Sequence, residues 1–176
     1  MSAAQLVRRW LRCGATALVV AGVAMGAIGV AWAAHGDAAT SPVDAALAAA
    51  RPAVKPFRRL TATRIVVGKQ TLRVVIADSD TERTQGLRRR HTIGRYDGML
   101  FVYPSATTAT FTMSTVPVAL DIAFYASDGR VVRRLAMAPC AGTDSTCPGY
   151  PSGGTFRYAL ETLAGDLPRG RLRSPG

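Results

Sequence analysis

The chain has 176 residues, with 22 Lys and Arg against 11 Asp and Glu and 48% apolar residues. This suits one folded domain behind an export segment, and it excludes both a disordered chain and a pair of full domains. Of the basic residues 20 are Arg and two are Lys (Lys55 and Lys69), and Asn is absent, which excludes N-glycosylation; three Cys are too few for a disulfide-framework miniprotein.

Arg8, Arg9 and Arg12 precede 22 uncharged residues, Cys13 to Ala34, that close on Ala31-Trp32-Ala33. Positive, then apolar, then small residues is the order of a secretory signal, with cleavage between Ala33 and Ala34. At about 1.5 Å per residue the run could also cross a hydrocarbon core of about 30 Å as an uncleaved membrane anchor. Ala and Gly fill much of it, which favours cleavage. On either reading the basic residues stay inside, and the chain beyond residue 34 is extracytoplasmic. The Arg8-Arg9 pair reads as an ordinary n-region rather than a twin-arginine signal.

In an oxidising compartment Cys140 and Cys147 are expected to form a disulfide, closing a loop of small polar residues. A zinc site would need two more ligands, and the exported part offers only His35 and His91 with scattered carboxylates, so no metal and no cofactor are expected. Residues 34–62 read as an Ala/Pro-rich tether with Pro42, Pro52 and Pro56. It could hold one short helix, capped by Ser41, begun at Pro42 and stopped by Pro52. Lys55, Arg58 and Arg59 form a basic cluster there that could touch anionic lipid headgroups or polymer, although a solvated stalk is the plainer reading.

From residue 63 to 172 the apolar residues come in short runs separated by turn residues, which predicts β structure. Arg64–Val67 and Thr71–Ala77 flank a Gly68-Lys69 hairpin turn. Ser79 and Glu82 have capping-box spacing ahead of a helical turn. Met99–Tyr103, Thr110–Met113 and Leu120–Tyr125 follow, then Val131–Ala138 after an Asp128-Gly129 turn, and finally Phe156–Leu163. Six to seven short strands with one short helix predict a mainly β sandwich or barrel, followed by a tail over 173–176.

No P-loop, dinucleotide fingerprint, H-E-x-x-H or nucleophile elbow is present. His91 follows Arg88, Arg89 and Arg90, whose charges oppose an imidazolium, so it reads as a surface residue of a basic loop. Asp121 lies between Leu120 and Ile122, and strand alternation sets it on the opposite face from both, solvated or paired with an Arg. Without Arg8, Arg9 and Arg12 the remainder still carries +8. Nucleic acid is not the expected partner, because the exported side holds little of it and the aromatic residues are not interleaved with basic ones. Anionic envelope polymer, carbohydrate or lipid headgroups are.

Six short motifs occur in a fixed order: Glu82-Arg83-Thr84-Gln85-Gly86-Leu87, Asp97-Gly98-Met99-Leu100-Phe101-Val102, Leu120-Asp121-Ile122-Ala123-Phe124, Met137-Ala138-Pro139-Cys140, Cys147-Pro148 and Arg157-Tyr158-Ala159-Leu160-Glu161. In this the chain resembles the uncharacterised protein family 0127, also called domain of unknown function 192, over roughly residues 64–172. The resemblance implies an exported or membrane-tethered single domain with a jelly-roll-like β-sandwich, and brings no established activity with it. Family members usually carry Trp-Met-Lys-Asn-Thr before the Leu-Asp pair, where this chain has Thr112-Met113-Ser114-Thr115-Val116. By motif position, a retained ligand site is expected around Met113, Thr115 and Asp121, with Arg157 as counter-charge.

The reading that follows is a non-catalytic envelope module for an anionic or carbohydrate partner, motivated by export, positive charge and the missing catalytic set. An enzyme using Asp121 with an Arg, or a scaffolding subunit of an envelope complex, are the alternatives.

Overall fold

The computed structural model describes residues 41–176. The basic residues, the apolar run and the Ala33–Ala34 junction expected of an export segment lie outside them. Among the described residues no helix is long and apolar enough to cross a membrane.

In chain order the elements are α1 (Asp44–Ala48), β1 (Arg51–Pro52), β2 (Thr61–Val67), β3 (Gln70–Ala77), α2 (Asp80–Gln85), β4 (Gly98–Thr107), β5 (Thr110–Thr112), β6 (Leu120–Tyr125), β7 (Val131–Met137), β8 (Gly149–Pro151), β9 (Phe156–Leu163) and β10 (Leu172–Arg173). Among the described residues the fold is mainly β, as expected, but it has ten strands and two short helices, and its main sheet is mixed and not a closed barrel. Eight strands form one mixed sheet in the order β1-β2-β3-β4-β9-β6-β7, with β10 also paired to β2; β5 and β8 make a separate two-stranded ribbon. β3 and β4 pair in parallel, Val75 opposite Met99 and Ile76 opposite Leu100, with α2 in the connection between them, a pair that the antiparallel sheets of the expected jelly roll would not contain.

Both faces of the sheet are covered, and alternation along each strand feeds two cores. On β6, Leu120, Ile122 and Phe124 point to one core, whereas Ala123 and Tyr125 point to the other. The same division sends Val75, Met99 and Phe101 to the first side and Val74, Leu100 and Tyr158 to the second. Runs such as Val74-Val75-Ile76-Ala77 are therefore apolar at every position, because no strand face there meets water.

The segment expected to be a tether is part of the fold from Ser41 onward. Val43 and Ala46 are buried in the second core, Phe57 (2% exposed) is buried in the first, and β1 pairs with β2. Burying a side chain such as Phe57 contributes about 1.5–3 kcal/mol, enough to hold a stretch that has little apolar periodicity of its own. Ser41 does not cap α1 as expected. Its hydroxyl is buried against that of Tyr158, while Asp44 Oδ2 accepts from the Ser41 amide at 2.9 Å.

Candidate functional site

α2 starts where the sequence placed it. Ser79 Oγ accepts from the Glu82 amide at 3.3 Å, and Glu82 Oε2 accepts from the Ser79 amide at 3.1 Å, completing the capping box. The helix is pinned to the sheet by Arg83, which pairs with Asp80, donates to the Val102 carbonyl at 2.7 Å and lies 4.8 Å from the Tyr103 ring centre. Gly86 ends it at φ +46°, a backbone conformation that L side chains rarely adopt, whereas a Cβ there would make only ordinary contact with the Phe101 ring, at 3.4 Å.

Opposite α2 stands the β5–β8 ribbon. It is held by Phe111, which packs edge-on against Phe101 (5.2 Å between ring centres) and Phe124 (5.3 Å). The space between the helix and the ribbon is an open cleft of about 390 Å³. Arg83, Thr84, Gln85 and Arg88 form one wall, Thr110, Phe111 and Thr112 the other, and Phe101, Tyr103 and Glu161 its floor.

Glu161 is the distinctive group of this cleft. It sits on β9, directly across from Met99 on β4 and Ile122 on β6, and is only 5% exposed. No hydrogen bond reaches its carboxyl among the described residues. Loss of hydration among these apolar neighbours pushes its pKa up to about 8, so the acid is largely protonated at neutral pH. Gly98 makes the close strand approach here, since a Cβ at that position would meet the Glu161 carbonyl oxygen at 2.3 Å. Nearby, burial also raises the Tyr103 phenol.

The cysteine loop borders the same cleft. Cys140 and Cys147 are bonded, with sulfurs 1.99 Å and Cα atoms 6.0 Å apart. Cys140 bridges both Ser114 and Val116, and Ser114 Oγ donates to the Gly142 carbonyl at 3.0 Å. The loop so placed brings Asp144 to 2.6 Å from Arg88, whose hydrogen bond holds that carboxyl below the usual carboxylate range. Arg88 also donates to the carbonyls of Thr84 and Ser114.

On the other flank of α2 lies a basic groove of about 650 Å³, lined by Lys55, Arg58, Arg59 and Arg90 and sharing Gln85 and Gly86 with the cleft. Arg90 is set by stacking 4.3 Å from the Phe57 ring centre and by donating to the Pro56 carbonyl. Its Nε is buried without a partner among the described residues. The acid of this groove, Glu82, is committed to the capping box.

The structure does not bring the residues expected at a ligand site together. Met113 is fully buried in the first core. Thr115 has φ +58°, and its carbonyl accepts from the Arg89 amide at 2.7 Å. Asp121 faces away from buried Leu120 and Ile122, as alternation predicted, but its Oδ2 accepts from the Gly165 amide at 2.8 Å, and it forms no ion pair among the described residues. Arg157 cannot be its counter-charge. Asp121 is in register with Thr162, five residues along β9 from Arg157, or about 17 Å at a strand's rise. Arg157 Nε instead contacts the Tyr103 carbonyl at 3.4 Å. His91 is exposed. Sequence reasoning passed over Glu161, although a carboxylate amid Ala159-Leu160 and Leu163 was the available signal.

A family model described as "Uncharacterized ACR", DUF192, matches residues 63–174. The chain belongs to the DUF192 family. The fold is similar to that of a protein of unknown function from Novosphingobium aromaticivorans DSM 12444, at 28% identity and a TM-score of 0.59, covering 71% of this chain and 94% of that one. It is also similar to a candidate transcription regulator from Sinorhizobium meliloti 1021, at 26% identity and a TM-score of 0.52, covering 62% and 89%. None of the curated proteins compared with the chain matches it.

Proposed function

We propose that the protein is an exported, non-catalytic module of the cell envelope that binds an anionic polymer through the groove beside α2. The observation that carries this reading is the convergence of Lys55, Arg58, Arg59 and Arg90 on one concave surface. None of the four is in an ion pair among the described residues, and Lys55, Arg58 and Arg59 are exposed. Repeating anionic groups along a polymer would pair with these cations, and guanidinium groups suit phosphate or carboxylate oxygens. The Cys140–Cys147 bond favours an oxidising compartment, in keeping with the signal-like residues 1–33.

The test is equilibrium binding of the protein to acidic polymer isolated from the envelope, over a salt series. Binding should weaken as salt screens the groove, and replacing Lys55, Arg58 and Arg59 together by Ala should weaken it at least tenfold. Failure to bind at any ionic strength would sink the reading.

A further inference from the structure

We propose that the cleft between α2 and β5 is a separate binding site, for one unit of an uncharged, hydroxyl-bearing saccharide that hydrogen-bonds the Glu161 carboxyl at its floor. This does not depend on the groove reading, because the two surfaces lie on opposite flanks of α2.

Buried polar groups are nearly always hydrogen-bonded, yet Glu161, a residue only 5% exposed that lines the cleft, has a carboxyl that receives no hydrogen bond among the described residues. A ligand able to donate and accept at once would complete it. The cleft's volume of about 390 Å³ falls within the 300–1,000 Å³ usual for small-molecule sites.

Charge narrows the class. Arg83 is taken up by Asp80 and the Val102 carbonyl, and Arg88 by Asp144 and two carbonyls, so neither cation is free for an anionic ligand. A cationic ligand would have to approach both guanidinium groups. A purely apolar ligand would bury the Glu161 carboxyl still unpaired. What remains is an uncharged molecule with hydroxyl or amide groups and an apolar face. Phe111 and Tyr103 offer that face aromatic surface, and Thr84, Gln85, Thr110 and Thr112 offer the hydroxyls further partners. A pyranose unit has this composition.

The proton on Glu161 then matters. As the neutral acid it donates to a ligand oxygen and accepts from a ligand hydroxyl; once ionised it only accepts. The charged and titratable groups around it are Asp80, Arg83 and Arg88 on the helix side and Tyr103 on β4. Thr110, Phe111 and Thr112 of β5 and Ile122 of β6 bring none. Binding should therefore fall as pH rises through the Glu161 titration near 8.

The experiment is calorimetric titration of the full chain, in a zwitterionic detergent free of sugar, with cellobiose, chitobiose and trehalose. Saturable binding of at least one is expected at pH 6, at least tenfold weaker at pH 9.5. Glu161→Gln, neutral at both pH values, should bind within threefold of the pH 6 value throughout. Glu161→Leu should abolish binding while the chain still melts cooperatively. Absence of saturable binding to all three at pH 6, an affinity indifferent to pH, or a Glu161→Leu protein that binds like the parent would each overturn the proposal. Unchanged sugar binding when Lys55, Arg58 and Arg59 are all Ala keeps it separate from the groove.

Discussion

The hydroxyl of Ser41 is hydrogen-bonded in the interior to that of Tyr158, tying the segment ahead of the sheet to β9 across 117 residues of chain. Removing the phenolic oxygen by Tyr158→Phe leaves a buried serine hydroxyl short of its partner, and should cost about 1–2 kcal/mol of stability. A double-mutant cycle with Ser41→Ala, followed by denaturant unfolding, should give a combined loss smaller than the sum of the two. Strict additivity would show that the pair contributes nothing jointly.

The Cys140–Cys147 bond closes a short loop, so its constraint on the unfolded chain is modest. Cys140→Ser should lower stability by about 2–3 kcal/mol. It should also loosen Asp144 from Arg88 at the cleft rim. Identical melting with and without reductant would contradict this.

Stability should depend on pH through Glu161. Its pKa is raised from 4.5 to about 8 by burial, so the folded chain keeps a proton that the unfolded chain releases. Stability is therefore highest below about pH 4.5 as far as this group is concerned, and falls as pH rises to about 8, by a few kcal/mol in all. Glu161→Gln removes the ionisation and should flatten that slope, with the variant gaining on the parent towards pH 8. The check is a set of urea midpoints for both proteins between pH 4 and 9.

Asp121 is an anchor for the turn at Gly165. The side-chain oxygen of Asn can accept the same hydrogen bond, so Asp121→Asn should change stability by less than about 1 kcal/mol, and Asp121→Ala by about 1–2 kcal/mol. Neither should alter polymer binding at the groove. A stable Asp121→Asn protein that had lost that binding would return Asp121 to the list of ligand residues.

Much of the fold is legible locally. Period-two runs, the Gly68-Lys69 and Asp128-Gly129 turns and the Ser79/Glu82 capping box each depend on a few neighbouring residues, and the corresponding strands and α2 lie where those residues put them. What escaped depends on distant partners. Val43, Ala46 and Phe57 are isolated apolar residues in an Ala/Pro-rich stretch, and only the sheet surface makes them core. Parallel pairing of β3 with β4 cannot be inferred from either strand alone. Glu161 resembles the water-facing residue of a half-buried strand until Met99 and Ile122 are found on either side of it. The cleft needed the packing of α2 opposite Phe111, which no motif records.

The place of β9 in the sheet has a consequence for how the molecule assembles. It lies between β4 and β6, and its pairing of Glu161 with Met99 closes about 60 residues of chain. Until β9 arrives, Met99–Val102 and Ile122–Tyr125 are two raw apolar edges, each able to pair with the same edge of another molecule. Self-association thus competes with insertion of the middle strand. Light scattering during refolding should rise with protein concentration and subside once the sheet is whole; the finished fold hides the surfaces that put it at risk.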